Sequence, residues 1–186
     1  MFVFGPIDKK NADRIEAIIS ELYKMKFHSV YELVELLGGQ VEVDYSKEWS
    51  LDEDVIKLED YIDDSLETPA FKIVVSDKVS PERKLFIVCR GVGHLLLHMG
   101  YPLNKGEWVL EGENKAFKSN SHLMDKEAEY FAQCFIMPKD QYIAACKEFS
   151  SSETVFCTAD KVAKVFEVAP SLVISRGLSL GIVKRN

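Results

Sequence analysis

The segment from Ser80 to Pro102 constrains the fold more than any other part of the chain. Ser80-Pro81-Glu82 is a helix start: serine can cap, proline at the first helical position has its φ preset, and glutamate meets the positive end of the helix dipole. Leu85, Phe86, Val88, Cys89, Val92, Leu95, Leu96 and Met99 then recur at helical spacing, and Gly100 with Pro102 ends the run. This predicts a central helix over Pro81–Met99 with one side buried. Gly91 and Gly93 lie inside it. Each costs about 1 kcal/mol relative to alanine, which is tolerated where a neighbour approaches closely.

Around this helix the pattern is mixed. Ile15, Ile18, Ile19, Leu22 and Tyr23 predict an amphipathic helix over Ala12–Met25. Ser29 and Glu32 form a capping box that opens a second helix, closed by Gly38-Gly39. Val41, Val43 and Tyr45 alternate as in a half-buried strand, and Ala70–Ser76 is the clearest strand of the chain. The acidic stretch Leu51–Glu67 reads as loop or irregular edge strand, and Trp108-Val109-Leu110 as a short strand. Further helices are predicted over Leu123–Ile136, Lys139–Phe149, Ala159–Phe166 and Leu172–Leu180, the last capped by Ser171 and closed by Gly181. Strands at 41–46, 70–76 and 107–111, without βαβ alternation, give an α+β class. A small antiparallel-containing sheet is expected against Pro81–Met99, with a mostly helical C-terminal half. Residues 1–150 form the main domain in this reading and 151–186 a helical hairpin packed on it, with Ser150-Ser151-Ser152 as the candidate joint.

Composition narrows the class. Hydrophobic residues make up 47% and charged residues 28%, the balance of a soluble globular protein. The net charge of −7 argues against a surface built wholly for nucleic acid. From Thr158 onward the charge is +3, leaving −10 before it. Yet the last helix begins Leu172-Val173-Ile174 and offers only Ser171, Ser175 and Arg176 to base edges, so packing or protein binding is expected there ahead of DNA. Cys89, Cys134, Cys146 and Cys157 show no C-x-x-C spacing, and Cys89 and Cys134 sit in apolar helical patterns as reduced core thiols do. Met1–Pro6 has neither a basic start nor a long apolar run, and no apolar run approaches the ~18 residues of a membrane span. A cytoplasmic location is the expectation.

Within the central helix, Arg90-Gly91-Val92-Gly93-His94 has the frame of the gluzincin motif His-Glu-x-x-His, which sets two imidazoles one turn apart with a general base between them. Four stretches resemble the ImmA/IrrE family of zinc-peptidase-like proteins. Arg83–Tyr101 (RKLFIVCRGVGHLLLHMGY) is similar to the family's motif helix, and the Phe71–Ser76 strand to the one that edges its cleft. Asp125–Pro138 (DKEAEYFAQCFIMP) is similar to its Glu-rich helix, and Val162–Ile182 (VAKVFEVAPSLVISRGLSLGI) to its C-terminal hairpin. With the two opening helices, the similarity spans essentially the whole chain. It implies a zincin-like core, and an activity in which active members cut a helix-turn-helix repressor with zinc held by two histidines and one acid.

Carried over by position, the resemblance places the second ligand histidine on His94, the third ligand on Asp125 and a supporting acid on Glu129. The first histidine falls on Arg90 and the catalytic glutamate on Gly91. An arginine cannot ligate a cation and a glycine cannot take a proton. The reading is therefore a catalytically inactive pseudopeptidase needing no cofactor. It would bind a protein partner, a helix-turn-helix repressor or another phage or mobile-element regulator. The alternative is an active metallopeptidase with zinc on His94, His98 and Asp125, although His98 also suits a helix C-terminus, where a cation is favoured. His28 and His122 read as surface residues, and Glu127 as lying opposite the face shared by Asp125 and Glu129. Arg90 is expected at the former metal position, paired with Asp125 or Glu129.

Overall fold

The computed structural model describes residues 7–46, 54–57, 70–103, 116–117, 122–149 and 155–183, with the backbone alone for 54–57, 116–117 and 155–157. The first helix, α1 (Lys9–Tyr23), starts earlier than the apolar period suggests, because the Asp8 carboxylate accepts the Asn11 N–H at 3.0 Å. It buries Ile15, Ile19 and Leu22. Helix α2 (Val30–Leu36) opens on the expected cap: Ser29 Oγ accepts the Glu32 N–H at 3.1 Å, while the Glu32 carboxylate accepts the His28 N–H at 2.7 Å. That reciprocal bond falls one residue earlier than in the standard capping box. Gly38, at φ 76°, ends the helix and turns the chain into strand β1 (Gly39–Asp44).

Strands β2 (Asp54–Lys57), β3 (Phe71–Ser76) and β4 (Ala116–Phe117) complete a small mixed sheet in the order β1-β3-β2-β4. β1 runs parallel to β3, from Gly39 opposite Phe71 to Asp44 opposite Ser76. β2 is antiparallel to both β3 and β4. β3, the clearest strand of the sequence, lies between β1 and β2: Phe71, Ile73, Val74 and Val75 are buried, so apolar residues point to both faces. The acidic stretch does hold a strand, but β2 lies between two others rather than at an edge. The parallel direction of β1 was not part of the expectation, since alternation reports which side of a strand is buried and not which way its partner runs. The expected strand at 107–111 and the joint at 150–152 lie outside the described residues.

Gly39 is required by its partner. A Cβ there would stand 2.2 Å from Phe71 Cζ, and that fully buried ring is held edge-on by Tyr101 at a centroid distance of 5.4 Å. The Tyr101 hydroxyl in turn donates to the Leu37 carbonyl, tying the helix α2 exit to the far end of the central helix.

That central helix is α3 (Pro81–Leu97), every residue of which is buried from Ile87 onward. It packs against β2 and β3 on one side and on α4 (His122–Ile136) on another. Helices α5 (Lys139–Phe149), α6 (Val155–Phe166) and α7 (Pro170–Ser179) follow. Helix α7 is capped by Ala169 with Pro170 in the first position, not by Ser171, because the preset φ of proline suits the first helical residue. One apolar cluster joins α1, α2, the sheet, α3 and α4; a second joins α5, α6 and α7; Phe86 and Ile136 pack against both. No described helix is long and apolar enough to cross a membrane.

Arg176, one of the three groups the last helix could offer to base edges, is 1% exposed, in keeping with packing ahead of DNA contact. Its Nε donates to the Met137 carbonyl at 3.1 Å and its Nη1 to Cys134 Sγ at 3.0 Å, and its guanidinium lies 5.9 Å from the Tyr130 ring centroid. It satisfies a carbonyl at the end of α4 and fastens α7 there. The Tyr142 hydroxyl adds a bond to the Val173 carbonyl at 2.8 Å.

Gly39→Ala is expected to lower stability by about 1–3 kcal/mol, because the Phe71 ring must leave its place between the strand and Tyr101. Thermal unfolding measures this, and a melting temperature equal to wild type contradicts the packing described.

Candidate functional site

The site is set by how closely two helices cross. A Cβ on Gly93 would lie 3.1 Å from Phe131 Cδ1 and 3.2 Å from the Ala128 Cα. The α3 backbone therefore rests almost directly on α4, which is the close approach that the cost of a mid-helix glycine implies. The two helices cross so that polar side chains one turn apart on α3 come against acids of α4. Arg90, His94 and His98 rise along α3 with a drift of about 40° per step.

Each meets an acid. Arg90 Nη1 lies 3.7 Å from Glu129 Oε1, His94 Nε2 lies 3.8 Å from Asp125 Oδ1, and His98 Nε2 lies 3.0 Å from Glu127 Oε2. The side chains of Arg90 and Glu129 are 8% and 11% exposed, whereas that of Asp125 is 39% exposed. The arginine–glutamate pair is thus buried, as is the His98–Glu127 pair, and the outermost acid is Asp125. Gly91 is buried with the rest of this stretch of α3. His28 and His122 are exposed, as expected.

The expectation for Glu127 is corrected. It was placed opposite Asp125 and Glu129, away from the site, but its carboxylate is bonded to His98. The helical-wheel argument assumes that α4 has one buried side. In fact α4 packs against α1, α3 and α7, and only part of its circumference faces solvent. An acid between the other two still reaches a histidine at the end of α3. The sequence signal was present in the i, i+4 spacing of His94 and His98, which leaves room for a third rung.

The protonation pattern follows from donor and acceptor counting. Burial, with the nearby His98 and the Arg90 charge, lowers the His94 pKa to about 3. Burial also lowers that of His98, against the opposing pull of Glu127. Both rings are therefore neutral at pH 7. A carboxylate only accepts, so His98 carries its proton on Nε2 and its Nδ1 is an acceptor. The His94 and His98 Nδ1 atoms are 3.1 Å apart, which then requires the proton of His94 on Nδ1. Arg14 adds to the same corner: its Nη2 donates to the Leu97 carbonyl at 3.1 Å, and its charge opposes protonation of His98.

These residues do not fit a zinc ion. A catalytic zinc takes three protein ligands in tetrahedral array with a fourth position open. The first ligand position holds Arg90, whose guanidinium has no lone pair to give, and the imidazole nitrogens of His98 are engaged with Glu127 and His94. Among the described residues no group of three His, Cys, Asp or Glu side chains has metal-binding geometry. The set His94, His98 and Asp125 is brought near but not assembled. Cys89 and Cys134 are free and buried, and burial raises the pKa of both thiols, which is the opposite of an activated nucleophile.

Histidines harder to protonate in the folded state than in the unfolded chain make folding pH-dependent. Below the ordinary value of 6.5 the unfolded chain binds more protons, so stability is full above that pH. It drains as pH falls toward the folded value of about 3 for His94, at up to roughly 1.4 kcal/mol per pH unit for each ring. Urea unfolding at about pH 7 and about pH 5.5 should show the loss, and the His94→Gln/His98→Gln variant should flatten it. A wild-type profile that is flat across this window contradicts neutral, buried rings.

With this geometry in view, the comparisons with known proteins agree with the sequence. No curated protein matches the chain. The family profile for the IrrE N-terminal-like domain, peptidase M78, matches residues 53–176, a span that begins just before β2 and ends at Arg176, taking in Arg90, His94, Asp125 and Glu129. The match covers more than half of the sequence, and the chain belongs to the peptidase M78 family of IrrE N-terminal-like domains.

Proposed function

We propose that this protein is a non-cleaving member of its family, a pseudopeptidase that acts by binding a regulatory protein. The observation that carries this reading is the Arg90–Glu129 pair at the position of the first ligand, with Gly91 where the general base belongs. Peptide hydrolysis in this frame needs a Lewis acid to polarise the carbonyl and a base to activate water. Arg90 supplies no lone pair and Gly91 no side chain. The small sheet against α3 and the helical C-terminal half are the parts a zincin-like core would use to hold an extended segment. In this reading the frame keeps its grip and has lost its chemistry.

The partner proposed is a helix-turn-helix repressor or another regulator of a phage or mobile element, following the family association. Binding without cutting removes free repressor by mass action: at a concentration of 100 Kd the bound state is favoured by about 2.7 kcal/mol. Contact with DNA through the last helix has less support, since Arg176, its main basic side chain, is committed to Met137 and Cys134 in the interior.

The test is to mix the purified chain with a candidate repressor in the presence of zinc. A complex should elute together in size exclusion while the repressor keeps its intact mass. The Arg90→His/Gly91→Glu variant should gain cleavage. Repressor cleavage by the unaltered chain, stopped by a chelator and by His94→Ala, contradicts the proposal and restores a working metal centre.

A further inference from the structure

We infer that the Arg90 guanidinium is an internal cation that does the electrostatic work of a metal ion in joining α3 to α4, so that the protein folds and functions as a metal-independent body. The inference concerns the free protein and does not rest on the identity of any partner. Glu129 projects from α4 into the crossing with only 11% of its side chain exposed. A carboxylate in that position must be paired or become protonated, since an isolated buried charge is far too costly.

Arg90 answers this from the facing helix, with its own side chain 8% exposed and its Nη1 3.7 Å from Glu129 Oε1. The separation is that of an ion pair rather than a direct hydrogen bond, so the attraction depends on charge more than on one fixed contact. A guanidinium suits the task because it is always charged, planar and weakly hydrated, and it spreads its charge over a fork. The following residue, Gly91, places no side chain beside that fork. Of the three α3 side chains in this row, only Arg90 carries a charge that no change of protonation removes. The acids that a metal would gather at one point are met separately, Glu129 by Arg90 and Glu127 by His98.

Thermal unfolding of the full chain, with and without prior chelation and with added zinc, reads this out together with the zinc content of the purified protein. Wild type should melt at the same temperature under all three conditions and carry no stoichiometric zinc. Arg90→Met should lower the melting temperature by roughly 10 °C by removing the positive charge that faces Glu129. The Arg90→Met/Glu129→Gln variant, with both charges gone, should recover most of that loss and keeps the test open if the single variant does not fold. Arg90→Lys should fold with a smaller loss and remain indifferent to zinc. One zinc per chain in wild type, with a melting temperature that falls on chelation, overturns the inference. So does a double variant whose loss equals the sum of the two single losses, because the charges would then be uncoupled.

Discussion

A carboxylate carried into a helix crossing has to be matched by positive charge or by hydrogen-bond donors, and that requirement organises this molecule. Gly93 lets α3 settle onto Ala128 and Phe131 of α4, which brings acids of α4 against α3. Arg90 then faces Glu129 and His98 bonds Glu127, whereas Asp125, with 39% of its side chain exposed, needs no such partner and stands 3.8 Å from His94 Nε2. Were Gly93 larger, the helices would part by a few tenths of an ångström and the rungs would lengthen together. Packing and electrostatics are therefore set by one contact, and the chemistry available to the site follows from which side chains that contact admits.

The surroundings hold the crossing in place from both ends of the chain. α1, α2 and β1 precede the matched family span but are built into the same core. Arg14 reaches the Leu97 carbonyl at the end of α3, Tyr130 on α4 donates to Glu16 at 3.0 Å, and β1 pairs along its full length with β3. At the other end Arg176 ties α7 to the last turn of α4. Two buried arginines thus do different work: Arg176 satisfies a helix-end carbonyl and a thiol, whereas Arg90 neutralises a carboxylate.

What was legible follows the same physics. The central helix announced itself through Ser80-Pro81-Glu82 and a continuous apolar side, and β3 through its run of β-branched residues, because these signals are local. A pairing of Arg90 with Asp125 or Glu129 was expected because the family resemblance sets these stripes face to face, and the structure selects Glu129. Glu127 was not, because a wheel drawn for α4 alone cannot show that three other helices surround it. β2 was obscured by its acidic flanks, and the parallel pairing of β1 depends on a chain path that no local pattern encodes. Arg176 was weighed only as a group the last helix offers to base edges, and its actual partners, Met137 and Cys134, lie 39 and 42 positions away where no local pattern points.

Nitrogen NMR of the two imidazoles tests the account most directly, because each ring nitrogen reports its own proton or metal bond. At neutral pH the account predicts His94 protonated on Nδ1 and His98 on Nε2, both neutral, with neither spectrum altered by added zinc. Resonances that move to metal-bound positions on addition of one equivalent of zinc, and return on chelation, would contradict it.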